Sequence, residues 1–459
     1  MNLPIDFQNQ MKEMLGEAYD AFLSEYDKPY FSALRCNIRK ISRDELCKLL
    51  CKQSCKNDLV PWEQNGIYYD DFSGDKGNTA ADRESPPGPF RPGKSPFHEA
   101  GLYYIQEPSA MLPVTELSVD ASGMKVLDLC AAPGGKTTQI ADYMQGKGLL
   151  IANEIVPLRA KILSENIERM GAKNAIVISA DPHELVGRFE GFFDRILVDA
   201  PCSGEGMFRK HPEAMEEWSL ENVRVCAERQ AWILDCAIRM LKPGGKMLYS
   251  TCTFNKEEDE GTVKAFLERH PEVDITKESR IFPHTHKGEG HFAAAFVKNI
   301  PAAESGTVRF LTESPARKDE VRPFLDFAQE ALTENARKKL TDDGGIFIAF
   351  GDQLYLSPKD TPSLKGLKVL RPGLHLGTIK KGRFEPSHAL ALYLNKEDVK
   401  ETHDFPEGEG DAIRYLKGET LATDKKGWTL VTVCGYSLGW GKASNGILKN
   451  HYPKGLRWA

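Results

Sequence analysis

Two dipeptides, Pro201-Cys202 and Thr251-Cys252, each follow an apolar, strand-like run and place a thiol at its end. In an open sheet of parallel strands, neighbouring strand ends converge on one crevice, so both sulfurs can face one substrate. A single buried cysteine is commonly an inert packing residue, and Cys226 and Cys236, within a helical stretch, read that way. Two thiols at adjacent strand ends suit a particular chemistry. Carbon-5 of cytosine is not nucleophilic, but a thiolate adding to carbon-6 makes an enamine-like intermediate whose carbon-5 can attack a sulfonium methyl group. Asp199, at the end of the run RILVD, could bond to ring nitrogen-3 and the exocyclic amine and stabilise the developing charge. The second cysteine could assist when the carbon-5 proton leaves and the first sulfur is expelled. The residues alone leave open which sulfur attacks. Asn255 and Glu258 have the spacing of a capping box and predict a helix just after Cys252, its N-terminus favouring a thiolate there.

A cofactor site is expected upstream. After the strand Val126 to Leu129 come Cys130, Ala131, Ala132, Pro133, Gly134, Gly135 and Lys136, then a helix near Thr137. A glycine-bearing turn from a parallel strand into a helix sets backbone N–H groups at a crevice that suits a nucleotide or nucleoside. A phosphate-binding loop ends in Gly-Lys-Thr, as here, but needs glycine where Cys130 stands. An NTPase remains an alternative, with Asp199 as its magnesium ligand. A methyl-donor nucleoside predicts acids at successive strand ends: Glu154 for the ribose hydroxyls, Asp181 for the adenine amine and Asp199 near the reacting centre. Each acid alone is more often a helix cap or a surface charge, but three in succession, one after each strand, fit a nucleoside cofactor.

The elements that must hold these residues alternate from Val126 to Lys298: KVLDL, LLIANE, AIVISAD, RILVDAP, KMLYST and HFAAAFVK, separated by amphipathic helical stretches. Such alternation predicts an α/β doubly wound parallel sheet. The last strand follows a turn-rich stretch and is expected to pair antiparallel at the end of the sheet. Upstream, Ile5 to Tyr26 and Ser42 to Lys52 read as helices flanking a strand from Ala33 to Ile38, and Asp70 to Lys94 as a long exposed loop. Downstream, Ile300 to Pro323 reads as a linker, followed by short apolar runs and turns that predict small β-rich modules.

The chain has 459 residues, 41% of them hydrophobic and 27% charged, in the range of a soluble globular protein of several domains. It shows neither an 18-residue apolar run nor a secretory leader, so a cytoplasmic location is expected. Ten cysteines in such a chain are thiols rather than a disulfide scaffold. The net charge of -6 excludes a uniformly basic coat but not local patches. Arg35, Arg39, Lys40, Arg43, Lys48, Lys52 and Lys56 form one, and Lys425, Lys426, Lys442, Lys449, Lys454 and Arg457 another; each is either a solvated face or a nucleic-acid contact. The segment Gly206 to Lys210 (GMFRK) could hold RNA phosphates, and Trp440 could stack on a base or fill a β core. Cys47, Cys51 and Cys55, like His284, His286 and His291, lack the paired-ligand pattern of a metal site, and no metal is expected.

The blocks DLCAAPGGK (128–136), DAPCSG (199–204) and STCT (250–253) resemble the signatures of the Nol/Nop/Sun family of RNA cytosine-C5 methyltransferases. YIQEPSAM (104–111), GEGHF (288–292) and the closing segment 435–453 resemble its RsmF-like bacterial branch, which acts on small-subunit ribosomal RNA. The resemblance implies a Rossmann-like methyltransferase sheet at 99–298, an N-terminal RNA-binding extension at 1–98, a linker and small α/β module at 299–390 and a PUA-like domain at 391–459. It implies Cys252 as nucleophile, Cys202 as helper in product release and Asp199 between cofactor and base. Cys130 to Lys136, Glu154 and Asp181 match contacts to S-adenosyl-L-methionine. The expected substrate is a cytidine of 16S ribosomal RNA or of the small subunit. An RNA-dependent NTPase and a non-catalytic ribosome-assembly protein are the competing classes.

Overall fold

Strands buried on both faces are apolar at every position, and the central runs of this chain have that character. In the computed structural model, which describes residues 2–51, 58–69, 91–299, 308–311, 315–341, 344–406 and 409–459, they form one eight-stranded sheet. Its strands are β1 (Lys125–Asp128), β2 (Leu149–Asn153), β3 (Ala175–Ile178), β4 (Phe193–Asp199), β5 (Leu241–Thr251), β6 (Val273–Ile281), β7 (His291–Lys298) and β8 (Val369–Pro372). The order is β8-β3-β2-β1-β4-β5-β7-β6. The five strands from β3 to β5 in that order run parallel. The chain reverses its direction of travel between β1 and β4, which opens a crevice at their C-terminal ends.

Helices α1 (Gly135–Met144), α2 (Pro157–Met170), α3 (Pro182–Phe189), α4 (Leu220–Met240) and α5 (Thr262–Arg269) cover the sheet. Successive strand residues point to opposite faces. Leu127, Ile151, Ile176 and Ile196 pack with Leu185, Phe189, Ile233 and Leu234 from α3 and α4. Val126, Leu150, Val177 and Leu197 pack with Ile140, Leu163 and Ile167 from α1 and α2.

Three features differ from expectation. The segment before β7 is not merely turns: it holds α5 and β6, and β7 lies between β5 and β6 rather than at the sheet's end. Strand β6 escapes sequence reading because, as an edge strand, it exposes most of its charged side chains. The linker stops earlier than Pro323, since a helix spans Lys318–Ala331 and buries Phe324, Phe327 and Ala328. Finally, β8 is donated from the downstream module to the edge of the eight-stranded sheet, antiparallel to β3. Its Arg371 anchors it to α2 through Glu168 and through Ser164 at 3.1 Å.

The remaining modules enclose this sheet. The N-terminal helices Ile5–Leu15 and Tyr19–Ser24 bring Phe7, Phe22 and Tyr26 onto Phe208, Trp218 and Phe254. A small sheet of strands Ser32–Cys36, Gly66–Tyr69 and Tyr103–Ile105 follows. A four-stranded antiparallel sheet (346–386) shares a core with the C-terminal five-stranded sheet through Phe327, Phe384, Trp428 and Trp440. That C-terminal sheet also packs on the N-terminal module through Val431, Leu438 and Tyr452 against Leu34, Ile67 and Tyr103. Much of the expected loop 70–94, Lys52, Cys55, Lys56 and the stretch 300–307 lie outside the described residues.

Three members of the first basic patch, Arg35, Arg39 and Lys40, are turned to the protein. Arg35 is fully buried, ion-paired to Asp142 of α1 and bonded to Gln106 at 2.9 Å and Thr138 at 2.8 Å. Arg39 joins the same Asp142 at 3.1 Å, and Lys40 donates to the Ala100 carbonyl at 2.6 Å. These cations dock the N-terminal module on α1 and α2 instead of awaiting RNA. Among the described residues, no helix is long and apolar enough to cross a membrane.

Candidate active site

The two cysteines meet because parallel β4 and β5 end side by side: Asp199 pairs with Ser250, so the turns that follow run together. The Cys202 and Cys252 sulfurs stand 3.3 Å apart, and the Cys252 N–H donates to the Cys202 sulfur at 3.4 Å. Both are free thiols. The turns are cross-linked residue by residue: Ser203 and Thr253 hydroxyls bond at 2.8 Å, the Gly206 N–H donates to the Cys252 carbonyl at 2.9 Å, and the Phe254 N–H donates to Glu205 at 3.0 Å. Gly206 must be glycine, because a Cβ there would meet the carbonyl oxygens of Cys252 and Gly290, each at 2.9 Å. Behind them, Gln230 of α4 donates to the Pro201 carbonyl at 3.0 Å and to Glu258 at 2.8 Å, while Glu258 accepts the Ser203 N–H at 3.0 Å. Both peptide groups flanking Cys202 are therefore clamped.

Glu258 thus does not close the expected capping box. Asn255 does cap, accepting the Glu257 N–H at 3.0 Å, but Glu258 turns inward to the Cys202 loop. The first turn is a π-type turn over Glu257–Gly261 carrying four carboxylates, and α5 begins only at Thr262. An acidic turn opposes the dipole effect expected at Cys252. The bond to Cys252, with burial, pushes the Cys202 thiol well above its ordinary range.

One strand end away, Asp199 accepts from the Lys136 ammonium at 2.8 Å and from the Ser250 hydroxyl at 2.8 Å. Burial alone would raise its carboxyl; the Lys136 charge, aided by His291, outweighs this and holds it well below the usual carboxylate range. Lys136 is correspondingly held as an ammonium, the pull of Asp199 exceeding the effect of burial.

The remaining expected residues line the same strand ends. Cys130, Ala131, Ala132 and Pro133 form the turn after β1, and Gly134, with φ of 116°, lets α1 begin at Gly135. Cys130 is an inert thiol here, burial pushing its pKa up. Asn153 ties the ends of three strands, donating to the carbonyls of Leu129 at 3.2 Å and Ala180 at 3.0 Å. Beside it, Glu154 is buried at the end of β2 with Arg159 at 3.5 Å. Asp181 caps α3, accepting the His183 N–H at 2.8 Å, so its cap reading holds. Three carboxylates at consecutive strand ends form an acceptor set. It fits a ligand with ribose hydroxyls, an amine and a sulfonium charge, and it would repel a triphosphate. The one lysine of the loop is already engaged by Asp199.

Several expected contacts are excluded by their surroundings. Arg209 of the GMFRK segment is buried and bidentate to Glu289, both distances 2.8 Å, so it cannot hold RNA phosphate. Trp440 is buried and donates to the Ser387 carbonyl at 2.9 Å; it fills a core rather than stacking on a base. The three histidines do not act as a group: His284 packs on Phe22 and His286 on Trp62, while His291 faces Asp199. Gln230 was not singled out in the sequence, Glu258 only as a capping residue, His291 only as a member of the histidine group and the GEGHF block, and Ser250 only within the STCT block.

This arrangement can be set beside known proteins. Ribosomal RNA small subunit methyltransferase F of Vibrio vulnificus is 32% identical, covering 99% of this chain and 97% of its own. The chain belongs to the ribosomal RNA small subunit methyltransferase F family. The protein of the same name from Shewanella piezotolerans is also 32% identical, over 98% of this chain and 96% of its own. The family described as 16S rRNA methyltransferase RsmB/F matches residues 117–297, the N-terminal domain of RsmF residues 3–108, the first C-terminal domain 326–394 and the RsmF PUA domain 402–458. A methyltransferase homologue from Pyrococcus horikoshii is 28% identical with a TM-score of 0.54 over 64% of this chain and 94% of its own. NSun6 from Pyrococcus horikoshii, solved with SFG, is 25% identical with a TM-score of 0.56 over 65% of this chain and 99% of its own. The RsmF family is one of S-adenosyl-L-methionine-dependent 16S rRNA methyltransferases, and the PUA domain is an RNA-binding module. The NTPase alternative falls with this assignment.

Proposed function

We infer that the protein methylates carbon-5 of a cytidine in 16S ribosomal RNA, in the cytoplasm, through a covalent adduct with Cys252. The observation that carries this reading is the pair of thiols 3.3 Å apart at the strand end next to the Lys136–Asp199 ion pair.

The turn 130–135, Glu154 and Asp181 would hold S-adenosyl-L-methionine, and its chemistry is an electrophilic methyl group on sulfur. The chain's own residues do the rest. Cys252 as thiolate adds to carbon-6, and Cys202, kept as a thiol, steadies the negative sulfur beforehand. Asp199, locked in its charged form, accepts from the exocyclic amine, while the Lys136 ammonium beside it offsets charge moving onto the ring. Carbon-5, now carrying the electron pair, takes the methyl group. Loss of the carbon-5 proton then re-forms the double bond and expels the Cys252 sulfur, a step in which Cys202 assists. The target base must leave any stack to reach Cys252.

A denaturing gel of Cys202→Ala and Cys252→Ala proteins, each incubated with S-adenosyl-L-methionine and small subunits lacking cytosine methylation, tests this. A covalent protein–RNA band is expected with Cys202→Ala alone. The reverse pattern would exchange the sulfur roles. No methyl transfer by wild type would instead favour an assembly protein without catalysis.

A further inference from the structure

Helix α4 buries an apolar stripe of Val223, Cys226, Ile233, Leu234 and Ala237. Gln230 interrupts that stripe and is completely buried. A carboxamide costs free energy in such a place unless its hydrogens and oxygen are bonded. Here they are. Nε2 donates to the Pro201 carbonyl at 3.0 Å and to Glu258 Oε2 at 2.8 Å, and Oε1 accepts from the Thr262 hydroxyl of α5 at the longer distance of 3.5 Å.

The same Glu258 oxygen accepts the Ser203 N–H at 3.0 Å. Pro201, Cys202 and Ser203 are consecutive, so the Gln230–Glu258 pair bridges the peptide group before Cys202 and the peptide group after it. Each peptide group is a rigid plane, and the only soft rotations between the two are φ and ψ of Cys202. Fixing both planes therefore fixes the direction in which Cys202 sends its side chain. That direction puts its sulfur 3.3 Å from the sulfur of Cys252. Cys252 is held otherwise: it directly follows Thr251, the last residue of β5, and its carbonyl accepts the Gly206 N–H at 2.9 Å.

We propose that Gln230 is a positioning residue for the second half of the reaction: through the Pro201 carbonyl and Glu258 it aims the Cys202 thiol at the bond between Cys252 and the methylated base. The proposal rests on the covalent cytidine reading above. The step it serves balances. The C5–H pair becomes the C5–C6 double bond, the C6–S pair returns to the Cys252 sulfur, and Cys202 takes the carbon-5 proton while giving its own to that sulfur. A displaced Cys202 leaves attack by Cys252 and methyl transfer intact and delays only release.

The test follows labelled methyl groups from S-adenosyl-L-methionine into small subunits lacking cytosine methylation, with the full-length protein, in a single turnover and at steady state. Gln230→Met keeps the side-chain volume and removes both donated bonds. It should bind S-adenosyl-L-methionine as wild type does in calorimetric titration and transfer the first methyl group at the wild-type rate. Its steady-state turnover should fall roughly tenfold or more, and a methylated covalent protein–RNA band should accumulate on a denaturing gel although both cysteines are present. In a Cys202→Ala background, Gln230→Met should change neither the rate nor the yield of the band, because the residue it positions is gone.

A first methyl transfer slowed as much as turnover, with no band, would overturn the proposal and leave Gln230 a packing residue of α4. A band forming more slowly in the double variant than in Cys202→Ala would also overturn it. Should Gln230→Met bind no cofactor, Gln230→Asn decides, since it keeps a buried amide but is one methylene too short to reach both partners: a band there supports the proposal and its absence rejects it. Failure of the underlying reading looks different, because Cys202→Ala alone would then form no band, and the proposal would fall with it.

Discussion

Glu258 shows how a single residue can serve geometry at the expense of stability. Burial raises its carboxyl to about 7, although it accepts bonds from Ser203 and Gln230. Its folded pKa lies above its unfolded one, so it binds a proton more tightly in the folded state, and its contribution to stability declines as pH rises from about 4.5 towards 7. Glu258→Gln keeps an acceptor for the Ser203 N–H without the charge. We expect thermal melts to show this variant stabilised over wild type at pH 8, by on the order of 2 kcal/mol, and little changed at pH 4. Lys136→Met should slow methyl transfer by roughly 10²-fold or more, as measured with labelled cofactor under saturating RNA. Asp199, Cys202 and Cys252 were legible as candidates because each sits at or just after the end of an apolar run, and Lys136 because it follows the glycine-bearing turn into a helix. Arg35, Arg209 and Trp440 were not, because composition does not reveal whether a cation or an indole already has a partner inside the protein. Each does: Asp142, Glu289 and the Ser387 carbonyl.

At the scale of elements, the site is two turns zipped together, and the zip has no spare room. Gly206→Ala would drive a Cβ against the Cys252 and Gly290 carbonyls. It should separate the two turns and slow methyl transfer on the order of 10²-fold, with cofactor affinity by calorimetric titration unchanged because the 130–135 turn lies elsewhere. A normal rate in that variant would show that the register of the turns is not critical. The parallel strands were readable as continuous apolar runs. β6 was not, since an exposed edge strand carries the alternating charges of DITKESRI. Nor was the helix Lys318–Ala331, whose internal Pro323 reads as a terminator although the helix continues through it. The short apolar run near Leu370 was visible, but nothing local could say that its partner is β3, almost two hundred residues away.

Over the whole molecule, the N-terminal module bonds to α1 and α2, the downstream module lends a strand to the catalytic sheet, and the C-terminal sheet packs on both. Removing one partner of the buried Arg35–Asp142 pair should be felt by the entire fold: Arg35→Met is expected to lose about 3–5 kcal/mol in denaturant unfolding. An exposed basic pair stands on the C-terminal sheet, where Lys442 and Lys449 face each other across two strands. Like charges directly opposite destabilise a sheet, and a polyanion relieves them. Lys442→Glu with Lys449→Glu should weaken small-subunit binding and reduce its salt dependence by about two charges, without changing cofactor affinity; an unaltered salt slope would place the RNA elsewhere.

The strand Val369–Pro372 also imposes an order on synthesis. A domain emerging from the ribosome ordinarily folds as soon as its own residues are out. Here the edge of β3 stays open until more than seventy further residues have followed β7, and an open edge is where chains pair wrongly. The nascent enzyme must therefore wait, its catalytic sheet incomplete, while the very machine whose RNA its family modifies finishes making it.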